Sequence, residues 1–445
     1  MIIDRRYLRT IAAFASLLVA PIGCGIFNSG NGNNNNPGGT APSFATTVVI
    51  GDSLSAGFQN GSLLDTQQPN GWASLVATQA KFSLVLPLIA PPGIPAVDQL
   101  VSIGPPPVIQ RASGTTTGRD NPTVQPTDIA VPGHKLTDLI NAAPTPLPTV
   151  PEDIITALVL GFPIGNTNTQ MNEAIALKPT ALFVWIGNND ALLADDAGTP
   201  TAMTPVATFT QQFQQLMTTL HAQTKATLIV ANIPDVTSVP YLTTGATVIA
   251  QVAAETALPS AQVTTDLGIQ PGDLVNATGL GQVQSAVTAI KQAQPPTPLT
   301  DAGFLNATEI TAVQSTITQY NTVISQQVTA VGGVPVDIHT FIQNLAQNGI
   351  TINNYHATVS FLGGLFSLDG IHPTNTGYAL IANQFIDTLN MALKTTIPDV
   401  DVSAVATADP LFGPNIKPVG AVVSIPLDAA RHADKLISPR KVHAD

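Results

Sequence analysis

The sequence predicts an α/β fold in which a parallel sheet is sandwiched between helices. Three observations point there: short continuous apolar runs recur along the chain, helix-period stretches separate them, and glycine-led polar motifs follow two of the runs directly. A strand buried on both faces needs apolar side chains on both sides, so it reads as unbroken hydrophobicity. Joining parallel neighbours requires a crossover, and a helix usually supplies it.

The first run is Thr46–Ile50, followed by Ala181–Ile186 (Ala-Leu-Phe-Val-Trp-Ile), Ala226–Ala231 and a weaker Val334–Ile338. Helices are expected over Thr208–Leu220, where Phe209, Phe213 and Leu216 form a buried stripe, and over Ile310–Val331. A further amphipathic helix is expected over Asn375–Leu393, with Tyr378, Leu380, Ile381, Phe385 and Leu389 roughly on one side. In such sheets ligands bind beyond the carboxyl ends of the strands. Ser53 lies just past the first run and Gly187 just past the second.

Two stretches read as insertions: a Pro/Gly-rich one near 86–127, and a long Ala/Thr/Gln/Val-rich one near 241–307. Segments of that length serve as functional covers or stay disordered. The main domain is placed at 44–395. The remainder, 396–445, reads as a loosely docked or mobile tail.

Bulk composition narrows the chemistry. Charged residues make up only 10% of the 445, and the net charge is −12. With no Lys/Arg cluster interleaved with aromatics, nucleic acid is excluded as a partner. One cysteine, Cys24, rules out an intrachain disulfide framework. The seven histidines show no ligand spacing, so neither metal nor cofactor is expected.

Arg5, Arg6 and Arg9 precede the apolar run Ile11–Ala20 and then Pro21-Ile22-Gly23-Cys24. That run is short for a bilayer span but fits a cleaved signal over 1–23. The thiol at the cut is similar to a bacterial lipoprotein signal, although Pro21 replaces the usual aliphatic residue. Residues 24–43, rich in Gly and Asn, then form a flexible tether. The expectation is export, with membrane association through lipidated Cys24 at the outer membrane or cell surface. Otherwise the protein is secreted or periplasmic.

Gly51-Asp52-Ser53-Leu54-Ser55 and Asp369-Gly370-Ile371-His372 supply a hydroxyl, an imidazole and a carboxylate. A serine becomes nucleophilic when a histidine takes its proton and a carboxylate fixes that histidine's tautomer. A spacing of three lets Asp369 reach one ring nitrogen of His372 while the other faces the serine.

These residues belong to four ordered blocks: Gly51-Asp52-Ser53-Leu54, Asp128-Ile129-Ala130-Val131-Pro132-Gly133, Gly187-Asn188-Asn189-Asp190 and Asp369-Gly370-Ile371-His372-Pro373. In that order they resemble the SGNH (GDSL) hydrolases, a flavodoxin-like three-layer family of lipases and esterases. The resemblance implies Ser53 as nucleophile, His372 as base and Asp369 as its orienter. It also implies an oxyanion hole made by the Ser53 and Gly133 N–H groups and the Asn189 amide. Asp128 departs from the asparagine that usually opens the second block, which puts any donor role there in doubt. The nucleophile motif lacks the second glycine of the α/β-hydrolase elbow.

Asp52 and Asp190 read as structural carboxylates, His134 as a loop residue, and Trp72 and Trp185 as core. The expected activity is hydrolysis of carboxylic esters, with lipid or acyl esters leading and carbohydrate acetyl esters second. A binding protein built on an inactive hydrolase fold is the alternative from another class. The weakly charged insertions are expected to lid an apolar acyl pocket.

Overall fold

Each strand of the central sheet coincides with one of the continuous apolar runs. A computed structural model describes residues 43–104, 107–146, 148, 150–416 and 424–437. The expected signal segment, Cys24 and nearly all of the tether lie outside the described residues. The sheet contains Thr47–Gly51, Ala181–Trp185, Thr227–Ala231 and Val334–Val336, hydrogen-bonded in that order and all parallel. The first two are buried along their whole length, as their two-faced hydrophobicity requires.

An irregular segment extends the sheet beyond its first strand. Val49 N–H donates to Thr127 O (2.9 Å), Ile129 N–H to Val49 O (2.9 Å) and Val131 N–H to Gly51 O (3.1 Å). With this segment counted second in the chain, the spatial order becomes 2-1-3-4-5, the flavodoxin-like order. The topological switch point falls between the strands ending at Gly51 and Trp185, and chains leaving adjacent ends there diverge to open a crevice. Ser53 and Asn189 follow those two ends.

Helices flank the sheet. Trp72–Ala80 packs with Asn375–Leu393, and Trp72 stacks on Phe385 with ring centroids 3.9 Å apart. Both rings adjoin Phe183 and Trp185 of the central strand, so Trp72 and Trp185 are core residues. Val206–Gln223 packs with Ala307–Ala330, where Phe209 stacks on Tyr320 at 4.1 Å. The 24-residue helix tolerates its β-branched residues because a capping box starts it and a Val/Ile/Tyr stripe is buried.

Neither insertion is a structureless loop. The first carries an antiparallel hairpin, Asp98–Ser102 with Val108–Arg111, and buries Ile89, Ile94 and Ile109 in the main core. The second folds into helices Gly245–Thr256, Ser260–Leu267 and Ala277–Lys291 over a small antiparallel sheet. Val248, Val263, Leu267 and Val287 lie within a hydrophobic cluster separate from the main one.

The expectation of a loosely docked tail is corrected over the described residues. Val402–Ala408 packs on Asn375–Leu393, and buried Asp409 accepts from Thr376 N–H (2.8 Å) and Thr376 Oγ1 (2.7 Å). Helix Leu427–Ile437 rests on Ala277–Lys291 and Asn188–Ala197 with Ala429, Ala430 and Ala433 fully buried. Alanine methyls bury closely against a neighbouring helix while giving little hydrophobic signal in the sequence.

Candidate active site

The end of the first strand fixes where the serine sits. A Cβ at Gly51 would lie 2.2 Å from Trp185 O, so only glycine lets the strands run this close before the chain turns. A tight turn follows, with Ser55 and Ala56 N–H groups donating to Asp52 O (both 3.1 Å). Ser53 is thereby presented at the switch point, 8% exposed.

His372 meets it from the far end of the chain. Its Nε2 is 2.7 Å from Ser53 Oγ, and its Nδ1 is 3.0 Å from Asp369 Oδ2. The carboxylate can only accept, so Nδ1 carries the proton and Nε2 presents a lone pair to the hydroxyl. Phe58 packs on the imidazole at a centroid distance of 4.7 Å.

Asp369 is saturated. Oδ1 accepts from Ile371 N–H (2.9 Å) and His372 N–H (2.8 Å), while Oδ2 also accepts from Gly61 N–H (2.7 Å). Burial pushes this carboxyl up, but His372 and the donors outweigh burial and hold it below its ordinary value. The acid is thus kept ionised beside the imidazole.

Of the expected oxyanion donors, Asn189 is tied to the residue that follows Gly133. The segment beside the first strand delivers Gly133 in a left-handed conformation, φ +80°, which glycine adopts at low cost. Asn189, in the first turn of Asn188–Ala197, donates from Nδ2 to His134 O (2.9 Å), leaving a second amide hydrogen. Among the described residues, the N–H groups of Ser53 and Gly133 meet no acceptor. Free donors next to a buried hydroxyl are what a developing oxyanion requires.

Carboxylates brace these loops. Asp52 accepts from Asn188 Nδ2 (2.9 Å) and Leu54 N–H (3.1 Å), and burial raises its pKa to about 7. Asp190 accepts from Leu136 N–H (2.8 Å) and Thr204 Oγ1 (2.6 Å), tying the third block to the start of the helix Leu136–Asn141 that follows the second. Asp128 accepts from Ala130 N–H (3.2 Å), and burial raises it to about 8. At neutral pH it is therefore largely protonated, recovering the neutral donor–acceptor character of the asparagine it replaces.

Several contributors escaped the sequence reading. Asn60 accepts from Leu368 N–H and donates its own N–H to Ser367 Oγ (both 3.0 Å), so the Asn60-Gly61 turn grips the loop holding the acid. Asn-Gly is a turn signal, but nothing in it names the partner. His134 lies in a loop, as expected, but is buried there between Thr156 and Gln170.

The family model for GDSL-like lipase/acylhydrolase matches residues 47–385, which takes in all four blocks and most of the chain. The chain belongs to this family. Among solved structures, an α/β hydrolase from the metagenome of Lake Arreo is similar at 14% identity and TM-score 0.36, covering 79% of this chain and 99% of that one. An acetylxylan esterase from Geobacillus stearothermophilus matches at 12% identity and TM-score 0.34, covering 78% of this chain and 95% of that one. A phospholipase A1 from Streptomyces albidoflavus NA297 matches at 14% identity and TM-score 0.34, covering 79% and 100%. No curated protein matches the chain. As a GDSL-family member, the protein is an ester hydrolase.

Proposed function

We propose that this GDSL hydrolase is an exported serine esterase that cleaves carboxylic esters through an acyl-enzyme on Ser53. The supporting observation is the 2.7 Å contact from His372 Nε2 to Ser53 Oγ, with Asp369 fixing the tautomer on the other side of the ring. Ser53 Oγ attacks the ester carbonyl carbon as its proton passes to His372 Nε2. The oxyanion accepts hydrogen bonds from Ser53 N–H, Gly133 N–H and Asn189 Nδ2. Collapse expels the alcohol, which takes the proton from His372. Water, deprotonated by the same nitrogen, then releases the acid and restores Ser53.

A neutral acyl or lipid ester is the leading substrate. A cleft of about 310 Å³, lined by Val239, Pro240, Leu242 and Phe361 together with seven threonines and serines, carries no charged side chain and none of the catalytic candidates. Its wall adjoins Tyr241, whose N–H donates to Gly370 O (2.9 Å) within the acid–base loop. The threonine and serine hydroxyls that share this lining favour a second reading, an acetylated carbohydrate. Export and lipidation of Cys24 would keep the enzyme beside envelope lipid.

The test is hydrolysis of p-nitrophenyl esters from acetyl to long acyl by the wild type and Ser53→Ala. Activity lost in Ser53→Ala and an optimum at medium or long chains support the lipase reading. A strong acetyl preference supports the carbohydrate reading, and undiminished activity in Ser53→Ala refutes the nucleophile. Membrane partitioning of Cys24→Ala unchanged from wild type would refute the anchor.

A further inference from the structure

Gln170 belongs to none of the four blocks, yet it touches the first directly and, through His134, the residue after the second, reaches the third. It opens helix Gln170–Ala176 behind the Thr169 cap and is fully buried. Its Oε1 accepts from Gly51 N–H (3.0 Å), immediately before the Asp52-Ser53 turn. Its Nε2 lies 2.9 Å from Nδ1 of His134, the residue following Gly133.

The amide has no freedom to flip, because the Gly51 N–H requires an acceptor. Gln170 Nε2 must therefore donate, and His134 Nδ1 must accept. An imidazole that accepts at Nδ1 and remains neutral carries its proton on Nε2, which faces Thr156 Oγ1 at 3.1 Å. The ring is clamped from both sides at 6% exposure, and the same residue's carbonyl accepts from Asn189 Nδ2 (2.9 Å).

We propose that Gln170 is a positioning residue for ester hydrolysis: it fixes His134 as the neutral Nε2–H tautomer and so aligns Gly51, Gly133 and Asn189 around the oxyanion. This inference rests on the reading of Gly133 and Asn189 as oxyanion donors. Substituting leucine would leave Gly51 N–H without its acceptor and His134 Nδ1 without its donor. Glutamate keeps an acceptor for Gly51 and donates to Nδ1 only as the carboxylic acid; as a carboxylate it draws the His134 proton to Nδ1.

The experiment combines kinetics with ¹⁵N NMR of the imidazoles, His134 being assigned by loss of its signals in His134→Gln. In the wild type His134 shows the neutral Nε2–H tautomer; the Nδ1–H tautomer or an imidazolium overturns the proposal. In Gln170→Glu kcat follows the tautomer: it stays near wild type where His134 keeps the Nε2–H form, and a wild-type kcat with the proton on Nδ1 also overturns the proposal. Gln170→Leu lowers kcat on p-nitrophenyl acetate roughly 10–100-fold, the scale set by small misplacements of catalytic groups. KM stays within about twofold, and affinity for a phenylboronic acid mimic of the tetrahedral state falls in step with kcat.

A folded Gln170→Leu with wild-type kcat and boronate affinity refutes the positioning role. Should that variant fail to fold, the wild-type tautomer and the Gln170→Glu measurements still decide. Asn189→Ala separates the two ideas. If it is impaired while the Gln170 variants are not, only this inference falls; if it retains full kcat, the oxyanion reading itself falls.

Discussion

The sheet and the 241–307 insertion are built on opposite plans. The sheet body concentrates buried polar groups at one edge. Asp52, Asp128, Asp190, Asp369, His134 and His372 are all at most 6% exposed, and each has a hydrogen-bonded partner. The insertion's cluster, by contrast, is entirely aliphatic, and none of the candidate catalytic residues comes from it. Its ties to the body run through Asn276 Nδ2, donating to Asp195 O and Asp196 O (both 3.0 Å), through Tyr241 N–H, donating to Gly370 O (2.9 Å), and through helix Leu427–Ile437, which rests on Ala277–Lys291. The difference teaches that burial serves two ends here: aliphatic packing stabilises, while buried polar networks fix geometry at a cost in desolvation.

Breaking the polar side should cost most. Ser53→Ala or His372→Ala is expected to lower kcat/KM by about 10⁴-fold or more with the melting temperature little changed. A residual rate near wild type would collapse the contrast between the two regions. Asn189→Ala should lower kcat by roughly 10²–10³, about 2.7–4 kcal/mol, with KM nearly constant. On the aliphatic side, Leu267→Ala should destabilise by about 2–5 kcal/mol. Hydrogen exchange should localise that loss to the insertion, with acetyl-ester turnover retained; a matching loss of turnover would show that the two regions are coupled.

The next effect is a pH dependence of stability. Burial raises Asp128 from 3.8 to about 8, so the folded state holds a proton that the unfolded state has released. Stability therefore falls as pH rises through that window and levels off above it, each pKa unit being worth about 1.4 kcal/mol. Asp128→Asn removes this slope. Urea unfolding should show the variant matched with wild type near the acid end of the window and more stable beyond its alkaline end. Smallest of all, Lys291→Ala breaks an exposed pair with Glu255 (2.6 Å) and should change stability by only about 0–1 kcal/mol.

The sheet was legible because a strand covered on both faces has to be continuously apolar, as Ala181–Trp185 is. The fifth, irregular strand over 127–131 was not, since it pairs through only a few backbone bonds and reads as a motif rather than a run. The insertion hid because Val, Ala and Thr serve helix cores and strands alike. The last helix hid because alanines form its buried face. Within the site, Ser53, His372 and Asp369 announced themselves by chemistry and spacing. Gln170 and Gly61 did not, for a lone glutamine or a backbone N–H leaves no mark in a sequence until the fold shows what it touches.

The separation of 319 residues between Ser53 and His372 has a consequence for the order of synthesis. The four regular strands are laid down in the order in which they pair, so the sheet can grow outward as the chain lengthens. Ser53, made early, has no imidazole beside it until the chain has passed Asp369 and His372. On the proposed mechanism a nascent chain, or one cut short of that loop, carries a serine no more reactive than any other alcohol, and hydrolytic power arrives only with near-completion of the fold.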